Sequence, residues 1–302
     1  MHGLTEAEEA ACPAAARAAL VGYLAGEVSA EIALMHLLLA TGALPPLQRC
    51  LRTLAATRRD VFLRLAQLAA EHAEGLARAA GLVEAGLTGA DGADLLVATR
   101  EQYDRAVAVA PQAAVALYSL GDPAILDRAT GELAALLSDW GLLGTDRKVL
   151  DIGCGIGRIE RALASHLRHI VGIDLSPAMI AEAKRRCVGI ANVSFAVCNG
   201  RELPEFAETS FDLVLAIDSF PCIVAVAPEI AERYIHDAAR ILGPDGSLAI
   251  FNYSYRGDLE VDRADLAAQA TAAGLRVLRD GTRDLTLWDG TSFLLRAPPR
   301  RG

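Results

Sequence analysis

Positive charge is the first thing this 302-residue chain lacks: 29 Lys and Arg stand against 38 Asp and Glu, a formal net charge of −9. Residues 1–145 hold ten arginines and 17 acids, net −7, and residues 146–302 hold 19 basic residues and 21 acids, net −2. Neither half supplies the field that nucleic-acid binding needs, so no nucleic-acid partner is expected. Long apolar runs are missing too. The longest early one, Ile32 to Ala40, contains His36 and falls far short of the ~20 residues of a membrane span, so no membrane partner is expected. The N-terminus has an acidic stretch, Thr5 to Glu9, where a leader would carry basic residues and an apolar core, which predicts a cytoplasmic protein. Six cysteines, Cys12, Cys50, Cys154, Cys187, Cys198 and Cys222, lack C-x-x-C spacing. That disfavours a zinc site and a disulfide framework and suits buried thiols in a reducing compartment. No G-x-S-x-G elbow is present, which disfavours a serine hydrolase. His166 and His169 near a helix end read as a solvated pair, so no metal is expected.

What the chain has is apolar content, 53% hydrophobic against 22% charged, enough for a packed globular protein of two domains or one decorated domain. Residues 1–92 are rich in Ala and Leu, with Tyr23 and Phe62 as aromatics, and read as an all-α unit. Thr5 with Glu8 forms a capping-box pattern, Ser29 can cap a helix through Ile32, Met35 and Leu39, and Pro45 and Pro46 suit a first helical turn. Val61, Leu65, Leu68, His72 and Leu76 share one helical face. Gly81, Gly86, Gly89 and Gly92 then predict a flexible connection. A second helical stretch runs from Asp94 through Tyr103, breaks near Pro111, and continues from Pro123 to Trp140.

After Lys148 strands and helices alternate. Strands are expected near 148–152, 169–173, 193–197, 211–217, 247–253, 275–279 and 292–296, and helices near 157–166, 177–187, 229–242 and 262–273. Alternation predicts an α/β fold, a mainly parallel seven-stranded sheet with helices on both faces. The last two strands lack an intervening helix and flank a loop with Trp288-Asp-Gly290, which suits an antiparallel last strand.

The densest signal is Val149-Leu-Asp-Ile-Gly-Cys-Gly-Ile-Gly-Arg158, a strand running into a glycine-rich turn and a helix. Gly153, Gly155 and Gly157 allow positive φ and close approach to a ligand around Cys154. A dinucleotide fingerprint needs a glycine where Arg158 stands. The ladder is instead D-x-G-x-G-x-G, and the Asp151 carboxylate suits a ligand bearing an ammonium or hydroxyls over a pyrophosphate. Asp174, at the end of the second expected strand, is placed to accept from two ribose hydroxyls; Ser176 and Pro177 also cap the next helix. Asp218 ends the fourth strand, beside Ser219 and Phe220, where open α/β sheets bind ligands. It can orient an acceptor or take its proton, or serve as a structural acid. Asn252, Tyr253, Tyr255 and Arg256 emerge at the carboxyl end of the fifth strand and can shape the same pocket, although the two tyrosines also suit ordinary strand positions on one face.

Val149 to Arg158 resembles the first motif of Rossmann-like, class I S-adenosylmethionine-dependent methyltransferases, and the resemblance extends over about residues 94–302. It implies S-adenosylmethionine as cofactor, held by Asp151, Gly153, Cys154, Gly155, Gly157, Asp174 and Asp218. Leu175 and Met179 would line the adenine. Asn199, next to Gly200, stands where the family usually has an aspartate that accepts from the adenine amino group. The helices at 93–145 would form a lid over the acceptor, with Tyr103 and Tyr118 as lid residues, along with Ser219, Phe220, Tyr253 and Tyr255 as acceptor contacts; both lid tyrosines also suit helix interfaces. The division is then 1–92, helical, and 93–302, methyltransferase. The expected reaction is in-line methyl transfer to a nitrogen or oxygen of a small molecule, with residues 1–92 adding selectivity or pairing copies as a homo-oligomer. Two other readings stay open: a scaffold that binds the donor without catalysis and takes a protein partner through its helices, and a nicotinamide dehydrogenase.

Overall fold

The computed structural model describes residues 3–57, 59–86, 95–203 and 206–299. Gly89, Gly92, Asp94 and the division at 92 lie outside the described residues. The chain forms two compact units that do not follow chain order. One comprises 1–91, 105–132 and 285–289; the other comprises 92–104, 133–284 and 290–302.

The first unit is helical. Its elements are α1 (Glu6–Ala11), α2 (Ala14–Ala25), α3 (Ala30–Thr41), α4 (Leu44–Ala56), α5 (Asp60–Glu71) and α6 (Ala73–Glu84), followed by part of α7 (Leu95–Val109), α8 (Pro111–Val115) and the start of α9 (Pro123–Asp139). The Thr5 and Glu8 capping box is complete, Ser29 caps α3, and the proline pair opens α4. Leu34, Leu37, Leu38, Leu54, Phe62 and Leu65 form the core. The single amphipathic face expected from Val61 to Leu76 is broken: α5 ends and α6 begins at His72, whose Nδ1 lies 2.8 Å from Asp122 Oδ2. That contact, 50 residues away in sequence, redirects the chain. Gly75 also lets two backbones meet, since a Cβ there would stand 2.5 Å from the Leu120 carbonyl oxygen. Gly81 lies inside α6, and Gly86 is left-handed just beyond it.

Residues 285–289 join this unit through specific bonds. Glu132 accepts from the Thr286 and Leu287 N–H groups at 2.6 and 3.1 Å, Asp289 pairs with His36 at 2.8 Å, and Trp288 stacks on Tyr118 with ring centroids 6.1 Å apart.

The second unit is built on β1 (Gly144–Ile152), α10 (Arg158–Leu163), β2 (Leu167–Asp174), α11 (Pro177–Arg186), β3 (Val193–Val197), β4 (Phe211–Ile217), α12 (Phe220–Val226), α13 (Pro228–Ile241), β5 (Leu242–Phe251), α14 (Leu259–Ala272), β6 (Arg276–Thr282) and β7 (Ser292–Arg296). The sheet order is β3-β2-β1-β4-β5-β7-β6. β7 inserts between β5 and β6 and runs antiparallel to both; the remaining pairings are parallel. Leu150, Ile152, Val214, Leu248 and Ile250 pack in one core with Tyr234, Ile235 and Ala238 of α13. The alternating residues Val149, Leu213, Leu215 and Ala249 are buried as well, so both faces are covered, as continuous apolar strands require. Strand order reverses between β1 and β4, and ligands of such sheets bind beyond the strand ends at that switch point.

Candidate functional site

The switch point is where the glycine turn leaves β1. Gly153, Gly155 and Gly157 have φ of +75°, +53° and +74°. The Gly153 and Cys154 N–H groups donate to the Ile173 carbonyl at 2.8 and 3.0 Å, tying the turn to β2. A Cβ on Gly153 would stand 2.4 Å from Ser219 Cβ, and one on Gly157 would stand 3.0 Å from Ala183 Cβ and Phe195 Cζ. Gly153 thus admits the loop after β4, and Gly157 admits α11 and β3.

Asp174 at the end of β2 is fixed by two backbone donors: Gly155 N–H to Oδ2 and Ser176 N–H to Oδ1, each at 2.9 Å. Burial pushes its carboxyl up, and these bonds oppose that rise. Ser176 caps α11 by accepting from Met179 N–H at 3.0 Å, and donates its own hydroxyl to Asp104 of α7. Asp151 is buried, and its Oδ1 has no hydrogen-bond partner. Burial pushes its carboxyl up to about 7, against the Arg158 guanidinium and a bond from Glu160. Ser219 Oγ is buried and unpartnered as well.

At the next strand ends, Asp218 and Asn252 follow β4 and β5 directly. Both are left-handed, with φ of +58° and +69°. Strained non-glycine residues on adjacent strand ends persist where the surroundings over-determine them. Asp218 Oδ1 accepts from Asn252 Nδ2 at 3.1 Å and from the Tyr255 hydroxyl at 2.9 Å, and Asp218 N–H donates to the Phe251 carbonyl at 2.9 Å. Loss of hydration at the hydroxyl and the Asp218 charge push the Tyr255 phenol well above its ordinary value. The Tyr103 hydroxyl lies 3.0 Å from Cys222 Sγ on α12, and burial pushes that thiol up to about 11.

Residues 149–246 match the family described as a methyltransferase domain. A demethylmenaquinone methyltransferase of Tropheryma whipplei is 35% identical over 108 residues, covering 36% of this chain and 42% of the relative. A 2-methyl-6-phytyl-1,4-hydroquinone methyltransferase of Synechocystis is 30% identical over 129 residues, covering 41% of this chain and 39% of that one. This chain therefore spans less than half the length of these relatives. The magnesium protoporphyrin IX methyltransferase of Synechocystis, solved with S-adenosylmethionine bound, superposes with a TM-score of 0.51 at 17% identity, over 69% of this chain and all of that one; this similarity concerns the fold. Residues 149–246 of the chain carry a methyltransferase domain. One observation fits S-adenosylmethionine to the residues of this domain: polar side-chain atoms of Asp151 and Ser219 are buried and left without a partner.

Several expected site residues are placed differently. Phe220 and Tyr253 are core residues of the methyltransferase domain, their rings 6.0 Å apart, and the Tyr253 hydroxyl donates to Gln269 at 3.0 Å. Tyr118 is buried in the helical unit against Trp288. Met179 is almost wholly buried, whereas Leu175 is half-buried and lies 3.1 Å from where a Cβ on Gly200 would stand. Asn199 Oδ1 is engaged by the Arg201 and Glu202 N–H groups at 2.8 and 3.3 Å, so this amide oxygen braces a turn. Arg256 is held by Asp262 and Asp265 at 2.7 and 2.8 Å, facing α14. Sequence reasoning missed Asp104, Cys222 and Glu160; Glu160 is wholly buried on α10, where a charged residue in a first helical turn ordinarily meets solvent.

Proposed function

We propose that this chain transfers the methyl group of S-adenosylmethionine to a nitrogen or oxygen of a small-molecule acceptor. The observation that carries the reading is the pair of acids flanking the glycine turn, Asp151 with an unpartnered buried oxygen and Asp174 fixed by two N–H groups. The bound donor supplies a sulfonium-linked methyl whose positive charge is lost as the bond to the acceptor forms in line.

Each Asp174 oxygen, holding one backbone bond, keeps acceptor capacity for a ribose hydroxyl. Asp151 offers a carboxylate oxygen to the donor's ammonium, an interaction strengthened by burial. Leu175 lines the adenine beside Gly200. Asp218, oriented by Asn252 and Tyr255, holds the acceptor heteroatom and receives its proton where the acceptor is a hydroxyl. Alignment does most of the work: holding partners in a near-attack pose is worth about 7–11 kcal/mol in favourable systems. Residues 95–104 of α7 bear on this side through Tyr103 and Asp104. They are the part of the expected lid that belongs to this unit. Residues 1–92 supply acceptor selectivity or pair two copies of the chain, which sedimentation velocity of the full chain resolves.

The relatives' names span carbon, nitrogen and oxygen acceptors, so the acceptor must be found by experiment. Incubation with methyl-labelled donor and fractionated metabolites should give a labelled small molecule and S-adenosylhomocysteine in equal amounts. Tight donor binding with no labelled product would favour the scaffold reading. Binding of NAD in place of the adenosyl ligands would favour the dehydrogenase, which Arg158 at the third fingerprint position opposes.

A further inference from the structure

Two carboxyl groups lie side by side beneath the glycine turn with too few donors between them. Asp151 on β1 pairs in register with Gly172 on β2. The Glu160 side chain, rising from the first turn of α10, lies over that glycine, where a Cβ would stand 2.3 Å from Glu160 Oε1. Asp151 is 1% exposed and Glu160 0%. Neither Glu160 oxygen has a protein donor, and Asp151 Oδ1 has none. Glu160, lying over Gly172, is thereby set beside Asp151, the register partner of that glycine. Both cannot be charged so close together in a buried site, so one holds a proton. It belongs on Glu160. Asp174 opposes charge on both, but the Arg158 guanidinium favours charge on Asp151, whereas Glu160 has only the pull of its own backbone N–H to set against burial and the Asp151 charge.

We propose that Glu160 is a positioning residue for the methyl donor: as a neutral acid it donates a hydrogen bond to Asp151 and leaves Asp151 Oδ1 as an oriented carboxylate oxygen for the donor's ammonium group. The proposal rests on the reading that an adenosyl sulfonium donor binds at these strand ends. Gly172 is part of the device, because any larger residue there would displace the acid. The groups facing the pair are Arg158 from α10, Asp174 from β2, Cys154 from the turn and Cys187 from the end of α11. Both thiols are pushed up by burial and stay neutral near pH 7. Burial lifts the Asp151 carboxyl to about 7, and the Glu160 bond limits that rise. Donor binding needs Asp151 ionised. Affinity therefore increases with pH up to about 7 and then levels off, and binding at pH 6 expels a proton.

The test is calorimetric titration of the full chain with S-adenosylhomocysteine from pH 5.5 to 8.5, in buffers of differing ionisation enthalpy so that protons are counted. It compares wild type, Glu160→Gln and Glu160→Leu, with thermal unfolding of each. Wild type should tighten about fivefold between pH 6 and pH 7 and about tenfold between pH 6 and pH 8, and release about one proton at pH 6. Glu160→Gln keeps an N–H donor to Asp151 and should retain the midpoint and stay within about threefold of wild type at pH 8. Glu160→Leu should move the midpoint upward, bind about tenfold more weakly at pH 7, and recover part of that loss by pH 8.5. An unchanged midpoint in Glu160→Leu, with affinity kept or lost uniformly, would overturn the proposal. So would a tenfold loss at pH 8 in Glu160→Gln, an outcome that decides even if the leucine variant does not fold. Failure of wild type to bind at any pH would instead remove the donor-binding reading beneath it.

Discussion

Two wholly buried glutamates, one in each unit, meet opposite fates. Glu8 in the helical unit accepts from Thr5 N–H and from Arg59, each at 2.8 Å. Burial opposes its charge, but these partners more than compensate and hold its carboxyl below the ordinary value. Glu160 in the methyltransferase domain is equally buried and has no protein donor; burial and then Asp151 push it well above the ordinary value. The first acid is spent on structure, closing α1 onto the start of α5. The second has both oxygens without a partner, where Glu8 leaves Oε1 alone unpartnered, and it lies beside the glycine turn, where perturbed acids mark function. The contrast shows in pH dependence. A depressed acid such as Glu8 stabilises the fold above its unfolded value near 4, and that contribution is lost as pH falls through its folded value. A raised acid such as Asp151 has the opposite sign: stability falls as pH climbs from about 4 to about 7, where the folded group ionises.

The largest effect should come from disturbing the turn. Gly153→Ala puts a Cβ into Ser219 at a φ of +75° and is expected to cost about 3 kcal/mol and to abolish donor binding, checked by denaturant unfolding and titration. Next, Arg59→Ala leaves Glu8 with Thr5 as its remaining partner and should cost about 2 kcal/mol at pH 7, with a smaller loss near pH 4; donor affinity should hold. Asp151→Asn should do the reverse, stabilising the fold by at least about 1 kcal/mol at pH 8 while weakening donor binding. Equal stability changes at pH 5 and pH 8 would break the comparison. The smallest is Thr5→Ala, which removes a cap and should cost about 0.5–1 kcal/mol with unchanged methyl transfer.

The strands and most of the helices of the methyltransferase domain were legible because apolar alternation and glycine breaks are local signals. Asp174 and the glycine turn were legible for the same reason. α12 was not, since Phe220-Pro221 directly after a strand reads as a pocket loop; the helix at Phe220–Val226 forms because its apolar residues pack toward α13. The break at His72 depends on Asp122, and the assignment of 285–289 to the helical unit depends on Glu132 and His36, contacts between residues far apart in sequence. Glu160 was invisible because its burial arises from Gly172 on a neighbouring strand, in register with Asp151.

In the proposed reading, the carboxyl ends of β1 and β2 bind an adenosyl sulfonium donor through Asp151 and Asp174. Calorimetric titration of the full chain with S-adenosylmethionine, S-adenosylhomocysteine and NAD, repeated on Asp174→Ala, tests it most directly. The expected result is binding of both adenosyl ligands, none of NAD, and a loss of about 100-fold or more in Asp174→Ala. Unchanged adenosyl-ligand affinity in that variant would contradict it.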